Sequence, residues 1–177
     1  MDKEELNKSI ENEPENIDSM KGFEIIAESM VEKIYDIFGR NSLLSMLYQT
    51  GAGPGHKIAK RLKDKYGEVN YTIEEALEIL LKELKEFYSI KIQKVEEDAT
   101  KLRIVIANKC FLRDPFKDRE KLQFGKAFCR INKGYFEVAL KELLGDEIKK
   151  IEINFLHDDP EKDACIEELI FYKKEVL

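Results

Sequence analysis

His157 and Cys165 stand eight residues apart in the stretch NFLHDDPEKDAC, in a chain of 177 residues with two histidines and three cysteines. Imidazole and thiolate are both good zinc ligands in tetrahedral sites, so the pair has the chemistry of a metal clamp. The geometry of such a clamp follows if the flanking segments are strands that turn around Glu161. The two residues then face each other, with Cβ atoms about 4.5–5.5 Å apart. The competing reading is a loop-edge histidine and a strand cysteine that acts as a small buried hydrophobe. Catalysis by a Cys and His pair would need an activated thiolate and a base held by a third group. Neither a helix-start cysteine nor an orienting Asn or Asp is recognisable, so no catalytic residue is assigned and the chain reads as a binder more than as an enzyme.

A second chemical candidate is GAGPG, residues 51–55, ahead of HKIAKRLKDKYG. A glycine-rich turn opening a helix can cradle phosphate on free backbone N–H groups. No Lys-Ser or Lys-Thr follows, and the preceding segment reads as helix where nucleotide motifs require a strand. The glycines fit better as a helix break or as a close helix contact that excludes side chains. His56 reads as a surface residue, and Cys110 as core or rim. With no dinucleotide fingerprint, nothing here delivers a hydride.

KGFEIIAESMVEKIYDIFG carries Phe23, Ile26, Met30, Ile34 and Ile37 at steps of three and four, one stripe of a helix ended by Gly39. NSLLSMLYQTG gives a second helix, capped by Asn41, and HKIAKRLKDKYG a third. Thr72 and Glu75 have capping-box spacing and start a fourth. SIKIQKVEE and KLRIVIAN then alternate with a period of two and predict a hairpin with Leu102, Ile104 and Ile106 on one face. A long amphipathic helix, REKLQFGKAFCRINKGYFEVALKELLG, precedes two closing strands, IKKIEINFLH and CIEELIFYKK. Helices, hairpin, helix and hairpin in that order predict an α+β fold, an antiparallel sheet with a layer of helices.

Composition narrows the function classes. At 43% hydrophobic and 37% charged, the chain supports one core. The net charge of −6 is concentrated in residues 1–20, at −5, which are expected to form a disordered acidic tail ahead of a single domain over 21–177. A near-neutral body offers no basic face for a nucleic-acid backbone, so no nucleic-acid partner is expected. No run approaches the ~20 apolar residues of a membrane span, and the N-terminus lacks the basic and apolar regions of a signal peptide. No membrane partner is expected, and the cytoplasm is the expected compartment.

The segment CRINKGYFEVALKELLG places Cys129 five residues before Gly134, and Cys165 closes the pattern two strands later. With Gly51, Gly53 and Gly55 leading into HKIAKRL, and a hairpin ending IVIANKCFL, residues 21–172 resemble the vinyl-4-reductase (4-vinyl reductase, hydrocarbon-binding) domain family. That family shares its ligand-binding fold with the transport-particle subunits of the Golgi. The resemblance implies binding of a hydrophobic small molecule, a hydrocarbon, aromatic or acyl group, by a sensor or carrier domain. It also implies a homodimer formed through helices and, in phenol-sensing members, a structural zinc held by three cysteines and one glutamate. Carried over, Cys129 and Cys165 match the first and last cysteines and Glu152 the glutamate. The middle cysteine falls at Phe155, which cannot ligate, and a two-residue shift brings in His157. The expected zinc ligands are therefore Cys129, Glu152, His157 and Cys165. Phe124, Phe128, Ile131 and Phe136 on the long helix are the expected ligand-binding residues. Two other functions stay open: a dimeric scaffold resembling the transport-particle subunits, and an accessory protein of tetrapyrrole metabolism.

Overall fold

The computed structural model describes residues 18–113 and 127–174. Most of the expected acidic tail and the expected ligand contact Phe124 lie outside the described residues. Helix α1 runs Ser19–Tyr66, with Asp18 at its N-cap accepting a hydrogen bond from Lys21 N. The sequence suggested three helices here; the break expected at Gly39 is present, its φ 75° and ψ 174° joining two helical segments, while no break separates the expected second and third, and Pro54 lies within the second segment. Residues 51–55 are interior turns of this helix, so their amides are engaged along its axis and the phosphate reading of GAGPG has no free N–H groups to rest on.

Helix α2, Ile73–Glu83, begins at the capping box of Thr72 and Glu75, with each side chain bonded to the other's backbone N–H. Strands β1, Tyr88–Glu97, and β2, Lys101–Cys110, form the first hairpin. Helix α3, Cys129–Leu144, leads through a short 3-10 turn into β3, Ile148–Asp159, and β4, Ala164–Lys173. The four strands form one sheet in the order β1-β2-β4-β3, with every neighbour antiparallel. This is the α+β class expected from the order of the elements.

Period-two alternation sorts the side chains of β2 and β4 onto two faces. Ile104 pairs with Leu169, Ile106 with Glu167 and Asn108 with Cys165, and these face the helices. Phe171, fully buried on β4, joins Leu140, Leu143 and Leu144 of α3 and Leu62 of α1 in the main core. The opposite face carries Arg103, held by Glu168 and Glu96 at 2.6 Å each, and a small patch of Val105, Ala107, Ala164 and Ile166. A second apolar cluster joins Val31, Leu43 and Leu47 of α1, on both sides of the Gly39 kink, to Phe128 ahead of α3. No helix among the described residues is long and apolar enough to cross a membrane.

The central helices touch backbone to backbone. A Cβ on Gly51 would lie 1.9 Å from the carbonyl oxygen of Ile131, and one on Gly55 would lie 2.7 Å from that of Tyr135. From the other side, a Cβ on Gly134 would lie 2.1 Å from the carbonyl oxygen of Tyr48. The close-contact reading of the glycine-rich segment is therefore what the structure shows.

Candidate functional site

Between the sheet and the helices lies a cavity of about 450 Å³. Its walls are apolar: Leu43 and Leu44 from α1, Leu77 and Leu81 from α2, Ile104 and Ile106 from β2, with Phe136 of α3. The volume falls in the range of small-molecule sites, and such sites fix orientation with a few polar groups in an apolar lining. Asn108 and Glu167, 2% and 8% exposed, are two such groups at the sheet wall, with Asn154 of β3 a third. Asn108 Nδ2 donates to Glu167 Oε2 at 2.9 Å, while Asn108 Oδ1 is buried with no hydrogen-bond partner. Behind the lining residues Asn132 and Phe136 stands Tyr88, whose hydroxyl donates to Asn132 Oδ1 at 2.8 Å and whose ring packs edge-on against Phe136. Arg40, Arg130 and Lys133 also line the cavity, and Lys133 is paired with Glu137 at 3.3 Å.

Sequence reasoning passed over Asn108 and Glu167, although the alternation that found the hairpin contains both. Position 108 continues the inward series 104, 106, and position 167 lies between inward residues 165 and 169. A polar residue in an inward slot of an apolar strand is the signal.

Of the expected ligand-binding residues, Phe136 lines the cavity. Phe128, just ahead of α3, and Ile131 in its first turn are not among the lining residues and pack instead with Val31, Leu43 and Leu47 of α1.

The four expected zinc ligands are not brought together. A β-bulge between Phe155 and His157 shifts the register of β3, so that Asp158, and not His157, pairs with Cys165. A single extra residue moves every later side chain to the other face. His157 therefore pairs with Ile166 on the face away from the helices, while Cys165 accepts from Arg113 at 3.1 Å and its thiol donates to Asp158 at 3.5 Å. Glu152 pairs across from Ile170, far along the strand from Cys165, and accepts a hydrogen bond from the Tyr172 hydroxyl at 3.0 Å besides its pairing with Lys150. Among the described residues no group of three or more His, Cys, Asp or Glu is arranged to hold a metal ion. The quartet Cys129, Glu152, His157 and Cys165 thus does not fit a zinc as placed.

Cys129 does stand at the start of a helix, contrary to the sequence reading. It is not activated there. Burial, then the charges of Glu167, Cys165 and Cys110, push its thiol up to about 12. Burial raises Cys165 to about 11, with Arg113 opposing. Cys110, half-buried beside Asn132, is raised by burial as well. Thiols held this far above neutrality are poor nucleophiles. His56 is exposed and paired with Glu142.

Burial also raises the Glu167 carboxyl above its ordinary 4.5, with the Asn108 hydrogen bond opposing. Because the folded value lies above the unfolded one, the native state holds this proton more tightly. The associated stability is complete below about pH 4.5 and is lost as the pH climbs through the raised value. Glu167→Gln is therefore expected to stabilise the fold by about 1–3 kcal/mol above that window, the cost of a poorly satisfied buried group. Melting curves near pH 4 and near pH 8 check this. A gain at both pH values, or at neither, would contradict it.

No family model matches the sequence, and no curated protein matches it. The fold does have solved counterparts. The chain is similar to the crystal structure of the phenol-responsive sensory domain of the transcription activator PoxR with phenol, at a TM-score of 0.55 and 14% identity over 84% of this chain and 74% of that one. It is also similar to a trafficking protein particle complex subunit 3 from Naegleria fowleri covalently bound to palmitic acid, at a TM-score of 0.57 and 17% identity over 89% of this chain and 96% of that one. At these identities what is shared is the fold, and the chain has the α+β architecture common to both.

Proposed function

We propose that the protein is a cytoplasmic sensor or carrier domain that binds a hydrophobic small molecule in the cavity between its sheet and its helices. The observation that carries this reading is the apolar cavity of about 450 Å³, walled by leucine and isoleucine from α1, α2 and β2. Two fold neighbours support it, since one is a sensory domain holding phenol and the other carries palmitic acid. A panel of aromatics, alcohols and fatty acids tests the reading by thermal shift. A ligand at about 100 times its Kd should stabilise the fold by about 2.7 kcal/mol, or about 5–10 °C in Tm for a domain of this size. A panel that gave no shift at saturation would remove the reading.

The same chain is proposed to form a homodimer, the arrangement that a scaffold would also need. Four of the five residues of the stripe expected on the first helix are uncovered: Phe23 is 66% exposed, with Ile26, Met30 and Ile37 close behind, while Ile34 is partly buried against the second apolar cluster. A contiguous apolar face of this kind marks an interaction site, and a two-fold pairing of the same patch on two copies would bury it. Sedimentation at micromolar concentration is expected to show a species of twice the 20.7 kDa chain mass. Met30→Glu should return it to one chain. A wild-type protein that sediments as a single chain would overturn the dimer and leave the cavity reading untouched.

A further inference from the structure

The two ends of the cavity differ in chemistry. At one end Leu77, Leu81, Ile90 and Ile104 belong to the main core, and their side chains carry no polar atom. At the other, Leu44 and Ala127 belong to the second apolar cluster, and Arg40 and Arg130 line the cavity beside them. Arg40 precedes Leu44 by one turn of α1 and is exposed, so it stands where the cavity meets solvent. Arg130 lies in the first turn of α3 and is partly buried. Neither arginine has an ion pair or hydrogen bond with another described residue. Surface arginines often have no partner, but these two border a cavity whose remaining walls are largely apolar.

Two further features make this end positive. Helix α3 begins at Cys129 with no side-chain cap, and Cys129 and Arg130 of its first turn both line the cavity, which places the positive end of the helix dipole in the same wall. Lys133, one turn further on, also lines it, with Glu137 sharing its charge at 3.3 Å. Against these three cationic side chains the lining has one acid, Glu167, and its Oε2 is taken by Asn108 Nδ2. A guanidinium presents its donors as a planar fork that matches a carboxylate in two parallel hydrogen bonds.

We propose that the ligand of this cavity is an amphipathic anion, an apolar body lying toward Leu77 and Leu81 with a carboxylate end held by Arg40 and Arg130. The proposal rests on the cavity being the ligand site and adds the charge and the placement of the ligand's polar end. A neutral alcohol of the same length gains the apolar burial without the charge-assisted bonds. An ammonium at this end would meet two guanidiniums of its own sign.

The experiment uses the full chain and one apolar body with three ends: octanoate, octanol and octylamine, each titrated by calorimetry at pH 7.5, where the acid is ionised and the amine protonated. Octanoate is expected to bind at least about tenfold more tightly than octanol, the value of one hydrogen bond to a charged group. Octylamine is expected to bind least tightly of the three. Octanol should displace octanoate, because both bodies fill one cavity. Arg40→Gln and Arg130→Gln should each weaken octanoate by about fivefold or more and leave octanol within about twofold, so that octanol reports an intact cavity in each variant. Octanol binding as tightly as octanoate, octylamine binding tightest, octanoate that octanol cannot displace, or octanoate unchanged in both arginine variants would overturn the anion proposal while leaving the cavity as the ligand site. Binding by none of the three would overturn both.

Discussion

Gly134→Ala is expected to destabilise the fold by about 3 kcal/mol or more, the upper end of the cost of overpacking a tight contact. For a domain of this size that is a fall of about 6–12 °C in Tm. The new methyl would stand 2.1 Å from the carbonyl oxygen of Tyr48 and 3.2 Å from the backbone nitrogen of Ala52. Neither atom is the end of a flexible side chain, so relief requires α1 and α3 to move apart along their shared seam. Helix propensity alone predicts the reverse sign, since alanine is favoured over glycine by about 1 kcal/mol inside a helix. Gly22, also in α1 with nothing within 4 Å of its would-be Cβ, isolates that term. Gly22→Ala should be neutral or stabilising by up to about 1 kcal/mol. Urea melts of the two variants beside the wild type check the pair, and a Gly134→Ala protein as stable as Gly22→Ala would mean that the helices are not in backbone contact. Because the same seam carries Leu43, Leu44 and Phe136 into the cavity wall, the Gly134 variant should also lose ligand affinity in whatever fraction stays folded.

Phe171→Ala is expected to cost about 3–5 kcal/mol, as truncating a fully buried aromatic side chain does. Phe171 is 0% exposed and lies on the central strand β4, between Leu102 of β2 and Ile151 of β3. Its ring fills the core where α3 settles on the sheet, and the surrounding elements are too constrained to collapse into the space. Against a total stability of about 5–15 kcal/mol, this loss leaves the domain marginal. Chemical denaturation should show a lower midpoint with an unchanged slope. A loss under about 1 kcal/mol would show that the core relaxes around the site. Unlike Glu167→Gln, whose effect depends on pH, this cost should be the same at every pH where the protein folds.

How much was legible in the sequence follows from how far each feature reaches along the chain. Thr72 and Glu75 announced α2 because a capping box is a contact between residues three apart. Alternation in KLRIVIAN and CIEELIF identified two strands, their inward faces and, by the order of elements, the antiparallel α+β class. The same alternation carried Asn108 and Glu167 into inward positions. Their meaning was hidden, since an unpaired acceptor is defined by what fails to approach it from other strands and helices. The glycines at 51, 55 and 134 were visible as residues without side chains, and a seam between helices was among the readings they allowed. Only the packing of α1 on α3 chose it, by bringing Tyr48 and Ile131 to within a bond's width of the missing Cβ atoms. The expected clamp of His157 and Cys165 turned on one residue of register. Sequence alone specifies that a side chain alternates with its neighbours, and not where a strand admits a bulge. The bulge after Phe155 sends His157 to the outer face and Asp158 to the inner one, because a period of two has no memory of its phase once a residue is inserted.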